Sequence, residues 1–239
     1  MKNRLSYSLT GIGEKTIVML HGWGLNKSAF ARLERQFNTK AKCLIVDFYG
    51  FGKSGLPEDY YDTYEYAYQI FLLLKQLRLD KIVLVGHSFG GRVAIILSAV
   101  FGLDIDFLVL TSSAGLNRFC LKKSLRIAKY KLYKKMVQIG VLKSNVLGKL
   151  GSDDYKRLSP LMRCCFIKII NQDLSYILNK ICIPTLLFWA KDDKDTPIWI
   201  CKKLHKYIKF STVYMCKTGG HFVYLNRSNK FKMLLDEIV

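Results

Sequence analysis

The segment Gly86-His87-Ser88-Phe89-Gly90 sets a serine midway between two glycines. This G-x-S-x-G spacing suits a nucleophile on a strained turn, where a bulky residue two positions away would collide with neighbouring backbone. The apolar run Lys81-Ile82-Val83-Leu84-Val85 precedes it and Gly91-Arg92-Val93-Ala94 follows. A strand before the turn and a helix after it lift the Ser88 hydroxyl above a sheet edge. They also aim a helix N-terminus at any oxyanion formed there. A serine needs a base to become a nucleophile, and the chain has four histidines. His21 closes the first apolar run and reads as a residue that holds a loop. His87 should point its side chain away from that of Ser88. His205 stands among Lys202, Lys203 and Lys206 and reads as solvated. His221, in Gly219-Gly220-His221-Phe222 after the last apolar run, lies where open parallel sheets gather their active sites and is the candidate base. The base in turn needs a carboxylate that fixes its tautomer. Asp192, Asp193 and Asp195 all follow the run ending at Trp189. Asp195 is placed to cap a helix opening near Pro197, and Asp192 is expected to face solvent.

These residues must be positioned by a scaffold, and its elements are legible. Thr16-Ile17-Val18-Met19-Leu20, Cys43-Leu44-Ile45-Val46, residues 81–85 and Phe107-Leu108-Val109-Leu110 are short apolar runs that read as buried strands. Helical segments are expected between them: one capped by Ser28 and running to about Phe37, one over residues 64–77, and one over residues 92–101. The alternation, with continuously apolar strands, predicts a parallel sheet covered on both faces. It breaks at about residues 117–173, which read as all-helical. It resumes with strands at residues 185–189 and 212–215 and helices at residues 197–208 and 229–238.

Several function classes are excluded. The 239 residues are 50% hydrophobic and 23% charged, too apolar for a disordered chain. Mean hydropathy is +0.11, yet the longest apolar run, residues 93–101, holds nine residues including Ser98. A bilayer span needs about 18. The opening residues lack an apolar signal core, so neither a transmembrane nor an exported protein is expected. The seven cysteines contain no C-x-x-C pair, so free thiols in a reducing cytoplasm are expected rather than a zinc site or a disulfide scaffold. Gly50-Phe51-Gly52-Lys53-Ser54-Gly55 fits G-x-G-x-x-G, but Leu56-Pro57-Glu58-Asp59 follows where a dinucleotide site needs a helix. The same residues fail as a phosphate-binding P-loop, because its first glycine would fall on Asp47.

With elbow, histidine and strand pattern in place, the chain resembles the α/β-hydrolase superfamily over nearly its whole length. His21-Gly22-Trp23-Gly24 is similar to that family's oxyanion loop, and the segment Asp47-Phe48-Tyr49-Gly50-Phe51-Gly52-Lys53-Ser54 to its D-x-x-G-x-G-x-S motif. The order Ser, acid, His is also the family's. The resemblance implies an α/β-hydrolase core at 1–116 and 174–239, with a helical lid inserted at 117–173. It implies Asp193 as the acid, with Asp192 as the alternative, since the family's acid stands four residues before a proline, here Pro197. The oxyanion would be held by the backbone N–H groups of Trp23 and Phe89. The implied activity is hydrolysis of a carboxylic ester or thioester of a small, largely apolar acyl compound through Ser88, His221 and Asp193. No metal or organic cofactor is implied. Serine at the elbow separates the chain from haloalkane dehalogenases and most epoxide hydrolases, which place aspartate there. Three further activities share the layout: a carbon–carbon bond hydrolase of meta-cleavage type, a carrier-protein methyl esterase, and a triad-bearing signalling receptor with little turnover. His21-Gly22-Trp23-Gly24-Leu25-Asn26 is similar to the methyl esterase group's opening motif.

The formal charge is +20. Ten basic residues between positions 117 and 152 (Arg118, Lys122, Lys123, Arg126, Lys129, Lys131, Lys134, Lys135, Lys143 and Lys149) supply half of it, with no acidic residue among them. Leu121, Leu125, Ala128, Leu132, Met136 and Ile139 recur there at helical spacing. A second helix, capped by Ser159-Pro160, would carry Leu161, Met162, Cys165, Phe166 and Ile169 on one face. The simplest reading is an apolar-faced lid with solvated lysines. The alternative is a surface that attracts an acidic carrier protein, an anionic membrane surface or an acidic substrate. Nucleic acid is not expected, because no recognition motif accompanies the charge.

Overall fold

The structure, a computed structural model, describes residues 4–117, 132–133, 135–137, 139, 155 and 158–239. Seven strands form one sheet: β1 (Ser6–Thr10), β2 (Thr16–Leu20), β3 (Lys42–Asp47), β4 (Ile82–His87), β5 (Ile105–Thr111), β6 (Thr185–Ala190) and β7 (Ser211–Cys216). Their order is β1-β3-β2-β4-β5-β6-β7. All neighbours pair in parallel except β1, which lies antiparallel on β3. Every residue of β2, β4 and β6 is buried, as their unbroken apolar runs require of strands covered on both faces.

The side-chain period of two sorts each strand into two cores. Ile17 and Met19 of β2 pack with Leu33 and Phe37 of α1 (Ala31–Phe37). Val18 and Leu20 face the other way, toward α2 (Thr63–Leu77) and α3 (Phe89–Val100). Further helices are α4 (Pro160–Asn171), α5 (Ile198–Tyr207), α6 (Val223–Asn226) and α7 (Ser228–Asp236). None of the described helices is long and apolar enough to cross a membrane. Cys43, Cys164, Cys165, Cys182, Cys201 and Cys216 are free thiols.

The structure corrects three local expectations. Strand β1 was not anticipated: two of its five residues are only half-buried and the other three exposed, so no apolar run announces it. Ser28 does not cap the first helix. Its own N–H donates to Asn26 Oδ1 at 2.9 Å, and a 3-10 turn (Lys27–Phe30) precedes α1. Asp195 does not cap α5 either. Its N–H is tied back to Asp193 Oδ1 at 3.0 Å, and Pro197 occupies the cap position without a side-chain bond.

The helix expected after Ser159 is present as α4. Pro160 stands in its first turn and Ser159 Oγ accepts the Met162 N–H, while Met162, Cys165 and Ile169 are buried. The chain returns to the core through Gln172. Its side chain accepts the Thr63 N–H at 3.0 Å and donates to the Asp62 carboxylate at 2.8 Å, at the start of α2. Arg92 of α3, buried, donates to the Gln172 carbonyl at 2.9 Å. Of the expected earlier helix of the insertion, Leu121, Leu125, Ala128 and all the basic residues but Lys135 lie outside the described residues. Of the stripe, Leu132 and Ile139 are described and exposed, and Met136 is described and half-buried.

Candidate active site

Ser88 sits at the junction of β4 and α3 with φ 50° and ψ −109°, a backbone conformation that non-glycine residues rarely adopt. The glycines around it are required by space. A Cβ on Gly86 would lie 2.6 Å from the Gly90 carbonyl oxygen, and one on Gly90 would lie 2.0 Å from that of Leu20. The turn is fixed from β5: the Ser88 N–H donates to Thr111 O at 3.3 Å, and the Ala114 N–H donates to Ser88 O at 3.0 Å. Phe89 opens α3, so its N–H is among those left without an intrahelical acceptor.

Asp193 and His221 meet at the same sheet edge. His221 Nδ1 lies 3.2 Å from Asp193 Oδ2, with the histidine side chain 15% exposed and the carboxylate 0%. Thr196 completes the carboxylate's surroundings. Its hydroxyl is 2.7 Å from Asp193 Oδ2, while Oδ1 accepts the N–H groups of Thr196 (2.9 Å) and Asp195 (3.0 Å). Burial alone would raise the Asp193 carboxyl. The hydrogen bonds from His221 and Thr196 outweigh burial and hold it well below the usual carboxylate range. Asp193 is therefore an anion whose four hydrogen-bond sites are filled and whose charge faces the imidazole. Ligand atoms of Asp193, Asp195 and His221 lie within 4.8 Å of one another, a trio of metal-ligand types. Asp193 already accepts four protein hydrogen bonds, one of them from His221 itself.

The remaining histidines take the roles their positions suggest. His21 is buried; Nε2 accepts the Phe48 N–H at 3.2 Å and Nδ1 donates to the Gly22 carbonyl at 2.8 Å. Burial keeps it neutral, with its pKa lowered to about 4. His87 points away from Ser88 toward the loop of His221, where its Nε2 donates to the His221 carbonyl at 3.0 Å. His205 is exposed.

Trp23 and Phe89 adjoin, their rings 5.3 Å apart and edge-to-face, and Trp23 also packs on Phe51 and on Phe166 of α4. The loop carrying Trp23 is held by Asp47, a buried residue at the end of β3. Asp47 accepts the Lys27 N–H at 2.7 Å and the Lys53 N–H at 2.9 Å. One carboxylate thus gathers the loop after β2 and the glycine-rich turn at residues 50–55. No helix opens there before Thr63, so that turn is a brace and not a nucleotide cradle.

The sequence analysis singled out neither Thr196 nor the contact of His87 with the His221 carbonyl, and it gave Asp192 no hydrogen-bond partner. For Thr196 a signal was present, since a hydroxyl three residues past a candidate acid can bond back to it. Asp192 is exposed as expected, but its carboxylate accepts the N–H groups of Gly220 (2.8 Å) and Gly219 (3.3 Å). Only the folded loop brings those groups together.

A family model described as alpha/beta hydrolase fold matches residues 15–125. The AB hydrolase superfamily protein YisY of Bacillus subtilis is 28% identical, over 92% of this chain and 90% of its own. The pimeloyl-acyl-carrier-protein methyl ester esterase of Wigglesworthia glossinidia brevipalpis is 26% identical over 86% of this chain and 85% of its own. Among solved structures, an esterase from Exiguobacterium antarcticum superposes with a TM-score of 0.77 at 23% identity, covering 98% of this chain and 95% of that one. With the sheet order and the strained elbow, these matches place the chain in the α/β-hydrolase superfamily, and it is a hydrolase.

Proposed function

We propose that the chain hydrolyses a carboxylic ester or thioester of a small, largely apolar acyl compound through a Ser88–His221–Asp193 triad. The observation that carries this reading is the buried Asp193–His221 pair, 3.2 Å apart, at the sheet edge from which Ser88 projects on its strained turn. Ser88 Oγ attacks the carbonyl carbon while His221 Nε2 takes its proton. Asp193 holds Nδ1–H and stabilises the imidazolium. The backbone N–H groups of Trp23 and Phe89 hold the oxyanion, fixed dipoles that need no reorganisation as charge develops. His221 then gives the proton to the departing alcohol or thiol, leaving an acyl-enzyme. A water, deprotonated by His221, attacks that ester, and the proton returns to Ser88 as the acid leaves. The steps use the chain's own groups and one water.

The insertion at 117–173 is proposed as a lid over this edge. The contact of Phe166 with Trp23 and the burial of Met162 support it. The aromatic character of Trp23, Phe89 and Phe166 supports an apolar acyl group. Free thiols support a reducing compartment, the cytoplasm. A second reading, a methyl ester carried on an acidic carrier protein, draws support from the methyl ester esterase relative and the basic insertion.

Turnover of p-nitrophenyl esters from acetate to octanoate, with Ser88→Ala as control, tests the proposal. The native chain should prefer short acyl groups, and Ser88→Ala should lower turnover by roughly 10³-fold or more. Comparable turnover in the purified variant would sink the serine mechanism.

A further inference from the structure

His221 is carried by a loop whose two preceding residues are glycines, Gly219 (φ 151°) and Gly220 (φ 60°). Paired glycines give the backbone its greatest freedom and lose the most entropy on being ordered. A general base on such a stretch keeps its aim only if other groups fix the backbone. Three contacts do so. The Asp192 carboxylate accepts the Gly220 and Gly219 N–H groups at 2.8 and 3.3 Å. Asn226 Nδ2 donates to the Gly219 carbonyl at 2.8 Å. His87 Nε2 donates to the His221 carbonyl at 3.0 Å.

We infer that Asp192 and His87 form a clamp on the His221 loop and act as positioning residues for the reaction. The inference rests on His221 being the base. Asp192 grips the loop just before the base, from the β6 side, and His87 grips the base's own peptide, from the residue preceding the nucleophile. One fixed point on each side of the His221 Cα sets the direction of its side chain, and so whether Nδ1 meets Asp193 while Nε2 faces Ser88.

The chemistry of each group fits this work. Asp192 is fully exposed, so its hydrogen bonds compete with water and add little to stability. The Gly220 N–H, aided by that of Gly219, lowers the Asp192 carboxyl against its slight desolvation and keeps it ionised, able to hold two donors at once. His87 is buried and neutral, its pKa lowered to about 3 by burial and by the neighbouring His221. Its Nε2 carries the proton, because the atom it faces is a carbonyl oxygen. That leaves Nδ1 as a buried acceptor with no partner. A leucine there would avoid the unpaired nitrogen but would give the His221 carbonyl no donor. The titratable groups beside His221 are Asp193, Asp195 and His87, with Asp192 on the backbone of the two residues before it.

The test compares Asp192→Ala with Asp192→Asn, and His87→Leu with His87→Gln, in the full chain. Rates are normalised to the fraction of Ser88 labelled by a fluorophosphonate. Asparagine removes the charge but keeps an oxygen acceptor for Gly220, and glutamine keeps a donor near the place of Nε2. Asp192→Ala should lower kcat roughly 10- to 100-fold with KM nearly unchanged, since a misplaced base costs about that much. Asp192→Asn should keep most of kcat, and His87→Gln should outperform His87→Leu. A variant that merely unfolds would lose labelled sites without lowering kcat in those that remain, and Asp192 answers the question if His87→Leu fails to fold. Equal kcat in Asp192→Ala and the native chain would overturn the clamp, as would identical behaviour of the alanine and asparagine variants. Absence of Ser88 labelling in the native chain would instead overturn the triad, and the clamp with it.

Discussion

Asp193 is the residue on which the proposed chemistry turns, because its charge is ionised by construction. Hydrogen bonds from His221 and Thr196 hold it an anion against burial. Asp193→Asn keeps the shape but removes the orienting charge, and should lower kcat roughly 10²- to 10⁴-fold with folding intact. Asp192→Asn, assayed beside it, should be mild. A reversed outcome would make Asp192 the acid. Ser88, Asp193 and His221 were legible in the sequence for separate reasons. Glycine spacing marked the serine, position after the last strand marked the histidine, and family likeness chose among three aspartates. Thr196 was signalled only by its spacing from Asp193, and the bonds of Asp192 were not legible. They depend on which N–H and hydroxyl groups the folded loops bring within about 3 Å, and no spacing rule carries that.

The elements that position these residues are strained where they carry chemistry. Gly90→Ala forces a methyl group against the Leu20 carbonyl. It should destabilise the chain by an amount at the upper end of about 1–3 kcal/mol or above, read as a fall in the urea midpoint. The buried histidines that brace the loops make a pH-dependent contribution whose sign follows from their lowered pKa values. Unfolded, each binds a proton near pH ~6.5; folded, His21 does so only at about 4 and His87 at about 3. The stability they allow is complete above about pH 6.5 and is lost as pH falls toward those values, since the unfolded chain binds more protons in that window. Urea unfolding across pH 7 to 5 should show stability falling with acid, and His87→Gln should flatten the fall. A flat native profile would contradict the burial argument. The interior strands and most helices were legible because burial on both faces leaves an unbroken apolar signature. β1 was not, because an edge strand open to solvent has none.

At the scale of the whole molecule, the open matter is what the charge does. Half of the formal +20 falls within residues 117–152, in a segment proposed to lie over the site. If these lysines steer an acidic carrier, their reach is about a Debye length, ~8 Å at physiological salt. The variant Lys122→Glu, Lys123→Glu, Arg126→Glu and Lys129→Glu should then lose kcat/KM for a carrier-bound ester steeply at low salt. The loss should fade at high salt, and turnover of a small neutral ester should hardly change. No effect on either substrate would mean that the lysines are solvated only.

The central claim is that Ser88 is an activated nucleophile. Its most direct test is to treat the native chain with a fluorophosphonate and map the adduct by mass spectrometry of proteolytic peptides. The account predicts one stoichiometric adduct, on Ser88, greatly slowed in His221→Ala and lost in Ser88→Ala. An unlabelled chain, or an adduct on another residue at the same rate in all three proteins, would contradict it.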